Sequence, residues 1–249
     1  MSGHSKWATI KRKKAVTDAR RGKMFTQIIK EITIAAKMGG GDLGSNPRLR
    51  LAVDKAKANN MPADNIKRAI MKGTGELPGV AYEDVMYEGY GPGGVALIIE
   101  SVTDNKNRTV SEIRHILERS GGKFGASGSV AWMFHKKGRI RTPKGSLSED
   151  DMLGIILDAG ADDLKSDGDS FEVITSPETF EPVKKALEAK GIKIEEAELE
   201  LVPENTVKVE GADAEKVLKL METLEEHDDT QHVYANFDID EKVLANFGG

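Results

Sequence analysis

Residues 138 to 201 carry the pattern that most narrows what this chain can become. Short apolar runs alternate there with amphipathic stretches: strand Gly138 to Thr142, helix Glu149 to Ala159, strands around Leu164 and from Phe171 to Ile174, helix Pro177 to Lys190, strand Ile194 to Leu201. Strand, helix, strand, strand, helix, strand is the order of a ferredoxin-like split βαβ domain. Before it stand a strand (Val95 to Thr103), a helix (Arg108 to Ser120, with Val110, Ile113, Ile116 and Leu117 inward) and a second strand (Ser129 to Phe134), which make half of the same pattern. After it, Thr206 to Val209, Asp213 to Glu226 and His232 to Phe237 read as the missing strand, helix and strand. The flanks therefore predict a discontinuous domain, 76–135 plus 204–249, with a second α/β domain, 136–203, inserted between its halves; three consecutive domains without an insertion is the competing arrangement. A chain of 249 residues is long enough for two or three cores.

Residues 1 to 75 differ in texture. The first 14 show no hydrophobic periodicity and read as a mobile arm. From Val16 to Met38 apolar side chains recur at three- and four-residue steps, among them Phe25, Ile28, Ile29, Ile32 and Ala36, which predicts an amphipathic helix ended by Gly39, Gly40 and Gly41. Asn46 and Pro47 suit the cap and first position of a second helix with Leu49, Ala52, Val53 and Ala56 inward. A third begins near Pro62, carries Ile66, Ala69 and Ile70 on one face and stops at Gly73. The expected class is thus α+β: an N-terminal helical bundle plus two ferredoxin-like α/β domains, the third inserted into the second.

Charge divides the chain unevenly. Residues 1 to 72 hold 17 Lys and Arg against 5 Asp and Glu, net +12 in a chain of net −5, so everything after Lys72 sums to −17. A run of lysines is often a solvated helix surface. Here the interleaved acids of such a surface are missing, Asp18 being the one acid before Glu31, and a polyanion is the expected partner. Trp7 sits among the cations, where an indole can stack on a base; a hydrophobic anchor on the bundle is the alternative. A second positive stretch, residues 104 to 144, has 10 basic and 3 acidic groups and includes Arg139 and Arg141; residues 145 to 249 then carry 9 basic against 28 acidic. A positive surface continuing from the bundle onto the second domain is expected, with the inserted domain repelled from phosphate.

Signals for chemistry are absent. With no Cys there is no thiol nucleophile, disulfide or Cys-ligated zinc, and the five histidines lack metal-ligand spacing, so neither a cofactor nor a metal is expected. His227 and His232 beside Asp228 and Asp229 read as a solvated acidic turn. Gly89 to Gly94 feeds a strand rather than a helix and lacks the Gly-Lys-Ser/Thr of a phosphate-binding loop. The longest apolar run, Val95 to Ile99, is too short to cross a bilayer, and the basic N-terminus has no apolar stretch behind it to make a secretory signal.

Four segments carry a resemblance: GHSKWATIKRKKAVTDARRGKMFTQIIKEI, GGGDLGSNPRLRLAVDKAKANNMPADNIKRAI, YEGYGPGGVALIIESVTDNKNRT and GGKFGASGSVAWMF. Together they are similar to the YebC family, also called PmpR, whose mitochondrial relatives are described as translational activators of cytochrome oxidase. The resemblance implies three domains, a cytoplasmic location and no enzymatic activity. It also implies nucleic-acid contacts at Lys6, Trp7, Lys11, Arg12, Lys13, Lys14, Arg20, Arg21 and Lys23. The family's usual label is a DNA-binding transcriptional regulator. The alternative is a ribosome-associated translation factor that binds ribosomal RNA or tRNA and relieves stalled translation.

Overall fold

The computed structural model describes Trp7, residues 18–145 and residues 147–247. They form a mixed α/β protein of helices and antiparallel sheets, which divides into two compact units: one runs to Met133 and resumes at Pro203, the other is Phe134–Val202.

In the first unit, α1 (Asp18–Gly39), α2 (Pro47–Ala58) and α3 (Ala63–Thr74) enclose a core of Ile28, Ile32, Leu49, Val53, Ile66 and Ala69. Asn46 is the joint. Its Oδ1 accepts from the Leu49 N–H at 3.0 Å, capping α2, while its Nδ2 donates to the carbonyls of Ala35 (2.9 Å) and Gly40 (2.8 Å) at the end of α1. At Gly73 a Cβ would run into the Thr33 carbonyl and the Ala36 side chain, so only a glycine lets α3 lie this close to α1. Gly75, at φ 83°, closes α3 as a left-handed C-cap.

A four-stranded sheet follows in the order β3-β1-β2-β9, built from β1 (Glu83–Tyr90), β2 (Ala96–Thr103), β3 (Lys123–Phe124) and β9 (Thr230–Ala235). Helices α4 (Lys106–Arg119) and α7 (Gly211–Glu225) cover one face, where Leu97, Ile99, Ile113, Leu117, Val217, Leu224 and Val233 form the core. Strands β8 (Val207–Lys208) and β10 (Phe237–Asp238) pair in parallel outside this sheet, and α8 (Glu241–Phe247) ends the unit.

The strand expected at Ser129 to Phe134 does not form. A loop with a single 3-10 turn at Ala131–Met133 takes its place, and the reason is Glu88. Its buried carboxylate accepts the N–H groups of Gly128 (2.6 Å), Val130 (2.7 Å) and Ala131 (2.9 Å), the donors a strand would need for its ladder. Burial pushes the Glu88 carboxyl up, but those donors bring it below its ordinary value.

The second unit runs β4 (Phe134–Pro143), α5 (Glu149–Asp158), β5 (Asp163–Asp167), β6 (Ser170–Thr175), α6 (Phe180–Ala189) and β7 (Glu196–Pro203), with sheet order β5-β6-β4-β7. Its core is Ile140, Met152, Ile156, Phe171, Val173, Phe180, Val183 and Leu187.

Candidate nucleic-acid interface

Trp7 changes the picture first. It is 3% exposed, its Nε1 donates to Glu225 Oε1 at 3.1 Å, and its ring lies 5.7 Å from that of Phe247. Helices α7 and α8 hold it inside the core of the α/β half of the unit, not on the bundle, so the expected stacking on a base is replaced by an anchor. Lys6, Lys11, Arg12, Lys13 and Lys14, and the expected arm of residues 1–14 apart from Trp7, lie outside the described residues. Arg20 and Arg21 fall in the first turn of α1, with side chains outside the described set.

Several bundle cations serve the fold. Lys30 Nζ reaches Asp229 Oδ1 at 2.7 Å and the Asp228 carbonyl at 3.0 Å. Asp229, 2% exposed, also accepts from Arg108 (2.7 Å), Thr109 Oγ1 (2.7 Å) and Thr103 Oγ1 (3.2 Å). Burial alone would raise this carboxyl; Lys30, Arg108 and Thr109 instead hold it well below the usual carboxylate range. The expected solvated turn at 227–232 is therefore a buried junction between α1, α4 and the sheet. His227 completes it: Nδ1 accepts the Asp229 N–H at 3.2 Å, which leaves Nε2 to donate to Glu112 at 2.9 Å.

Arg48 acts likewise, its guanidinium set between Glu31 (2.7 and 3.0 Å) and Asp84 (2.6 and 3.0 Å). Lys37 donates to the Tyr82 carbonyl at 2.9 Å and Arg50 to that of Leu43 at 2.7 Å. Lys23, by contrast, lines an open cleft of about 830 Å³ together with Lys30, Arg108, His115, Asp104, Glu112 and Asp228, a mixed-charge wall.

What remains on the outside of the bundle was not singled out from the sequence. Lys57 at the end of α2 and Lys67 and Lys72 on α3 are exposed, and their ammonium groups have no ion pair among the described residues. Arg68 and Lys72, four residues apart, are neighbours on the exposed surface of α3. The signal was present: these are the α3 cations that fall off the apolar stripe.

Arg139 and Arg141, singled out in the second positive stretch, are engaged by side chains of their own unit. Arg139 is 3% exposed and bound to Glu200 (3.0 Å) and Glu196 (3.2 Å); burial works against its charge, and Glu200, Glu196 and Glu172 more than restore it. Arg141 donates to Ser170 Oγ at 3.1 Å and faces Glu195 at 3.8 Å. Residues 139 and 141 flank the buried Ile140, so they share the opposite sheet face, and the neighbouring β7 sets Glu196 and Glu200 beside it. Among the described residues no group of three or more His, Asp or Glu is arranged to hold a metal, and no helix is long and apolar enough to cross a membrane.

The bundle is thus tied to the antiparallel α/β part of its unit by the buried Lys30–Asp229 pair and the more open Arg48–Asp84 pair, with other lysines left on its outside. Residues 5–76 match the model of the TACO1/YebC protein N-terminal domain, and residues 82–237 that of the TACO1/YebC second and third domain. Proteins called "Probable transcriptional regulatory protein" from Chlorobaculum parvum and Dictyoglomus thermophilum are each 59% identical, over 98% and 99% of both chains respectively. The crystal structure of a conserved hypothetical protein, Aq1575, from Aquifex aeolicus has a TM-score of 0.82 and 46% identity, covering 90% of this chain and 92% of that one. The chain belongs to the TACO1/YebC family.

Proposed function

We propose that this protein is a non-enzymatic regulator that binds nucleic acid in the cytoplasm, with DNA as its polyanion, and that its N-terminal segment makes the contact. The observation that carries this is the separation of roles among the cations. Lys30, Arg48 and Arg108 are spent on buried or bridging carboxylates, yet Lys57, Lys67 and Lys72 stand outside with no ion pair among the described residues, in a segment of net +12. Those lysines, with Lys6, Lys11, Arg12, Lys13, Lys14, Arg20, Arg21 and Lys23, form the interface. They contact phosphate rather than base edges, because Lys and Arg spread over a surface neutralise backbone charge whatever the sequence is. The relatives' regulatory name agrees with this reading. The absence of enzymatic activity rests on the relatives' regulatory name, and Asp229 and Glu88, both buried, are held by structural donors.

In this reading the chain has three parts, 1–75, 76–135 with 204–249, and 136–203, the last two ferredoxin-like and the last inserted. Its acidic surface keeps the third part off the phosphate backbone.

The test is binding of duplex DNA and of ribosomal RNA or tRNA over a salt series. Wild type binds duplex DNA with a steep salt dependence, and the combined Lys11→Ala, Arg12→Ala, Lys13→Ala and Lys14→Ala variant lowers the slope by up to about 4. A preference for RNA at every salt concentration would move the reading to a translation factor. Unchanged binding by the arm variant would remove the arm from the interface.

A further inference from the structure

Trp132 is 66% exposed, on the same loop that Glu88 shapes. Single exposed apolar residues are ordinary on protein surfaces, but this one is held in place. Its Nε1 donates to the Ser129 carbonyl at 3.2 Å, so the polar edge of the ring is satisfied by the loop itself and the rest of the indole is offered outward. The same carbonyl accepts from Tyr90 Oη at 3.1 Å, and three N–H groups of the loop are gripped by the Glu88 carboxylate. Gly125 lets the loop lie flat against β1: a Cβ there would meet Ser129 Oγ at 2.5 Å and the Glu88 carbonyl at 3.1 Å. A ring fixed in this way loses little side-chain freedom on contact.

Charge around the loop says what the ring meets. Tyr90, whose hydroxyl shares the Ser129 carbonyl with Trp132, pairs through its backbone with Lys123 in β3. Lys123 is exposed and has no ion pair among the described residues. An outward indole on a loop tied to Tyr90, whose strand neighbour Lys123 shares its sheet face, matches the two needs of an unpaired nucleotide: a π face for the base and positive charge for the phosphates.

We propose that Trp132 is a stacking platform for an unpaired base, with Lys123 taking an adjoining phosphate, so that the nucleic acid engaged by this protein is single-stranded where it crosses this loop. The proposal rests on the nucleic-acid reading above and narrows it, since a duplex keeps its bases stacked on each other and offers an indole nothing.

The experiment uses the full chain and an oligothymidylate, an oligouridylate and a DNA duplex as probes. Trp7 is buried, so the difference in emission between wild type and Trp132→Phe reports on Trp132. Both single strands should quench that difference, and Trp132→Ala should weaken single-strand binding by roughly 5- to 150-fold, the effect of one lost stacked base, with duplex binding unchanged. Trp132→Phe should keep most of the affinity. Single-strand binding that Trp132→Ala leaves untouched, with no quenching, overturns the proposal while leaving the nucleic-acid reading intact. A wild-type chain that binds none of the three probes overturns both. If Trp132→Ala instead shifts the free chain's sedimentation toward a smaller species, the ring is a contact between copies and the proposal falls.

Discussion

Among the described residues of the first unit two carboxylates are buried, and they are satisfied by different means. Asp229 meets side chains from three distant places: Lys30 in α1, Thr103 at the end of β2, and Arg108 and Thr109 in α4. Glu88 meets backbone N–H groups of one loop, Gly128, Val130 and Ala131. The first carboxylate therefore joins elements, while the second gives a connection its shape. Losing Asp229 strands a buried ammonium; losing the Glu88 charge leaves neutral amides that a small rearrangement can hydrate.

The comparison is sharpest in stability. Asp229→Ala should lower the unfolding free energy by about 3–5 kcal/mol, the range for breaking a buried ion pair from one side, read as a lower urea midpoint. Adding Lys30→Met should recover part of that loss, because the stranded charge is what makes the single change costly. A loss for Asp229→Ala below about 1 kcal/mol would mean the junction is hydrated and ordinary.

Glu88→Gln should cost less, about 1–3 kcal/mol, since an amide oxygen can still accept one or two of the three N–H groups. Amide hydrogen exchange separates the two cases. In Glu88→Gln it should quicken at Gly128, Val130 and Ala131 alone, whereas in Asp229→Ala it should quicken along α1 and at the β2–β9 pairing as well. Uniform quickening in both variants would erase the distinction between joining and shaping.

Much of this was legible in the sequence and some was not. The helices α1 to α3 follow from their apolar period, with Asn46 and Pro47 marking the start of α2, and the strands and helices of residues 138–201 follow from alternation in a stretch where local pattern and final structure agree. Trp7 was illegible because its partners, Glu225 and Phe247, come from the other end of the chain, and only packing reveals that pairing. Asp229 looked like one more acid in a turn and Lys30 like one more lysine on a basic helix, because a count of charge does not say which side chains fold inward. Arg139 misled for the same reason. The alternation of Glu196, Glu198 and Glu200 along one strand was the available hint that its sheet face carried its own counter-charges.

Acid should probe both carboxylates from one side. Each is held below its ordinary value in the folded chain, so each contributes stability that is fully present above about pH 5 and drains away as the pH falls through and below the ordinary carboxylate range. Asp229 is displaced further, and it should therefore account for more of the acid limb. In thermal unfolding between about pH 5 and pH 2, Asp229→Asn should flatten the dependence more than Glu88→Gln does. The reverse order would assign the main acid-sensitive tie to the loop.

The smallest structural effect belongs to the exposed bundle lysines that have no ion pair among the described residues. Lys57, Lys67 and Lys72 are exposed, and replacing all three with Ala should move stability by no more than about 0.5 kcal/mol, because no buried partner is stranded and no core contact is lost. Their effect should appear only when phosphate is present. If all three sit on duplex phosphates, the slope of log affinity against log salt falls by about 3. That change should add to the one from the arm, since exposed charges on separate segments act independently at moderate salt. A triple variant with the wild-type slope would confine the interface to the arm and the start of α1. The division of the bundle's cations would then run between α1 and the other two helices rather than between inward and outward side chains.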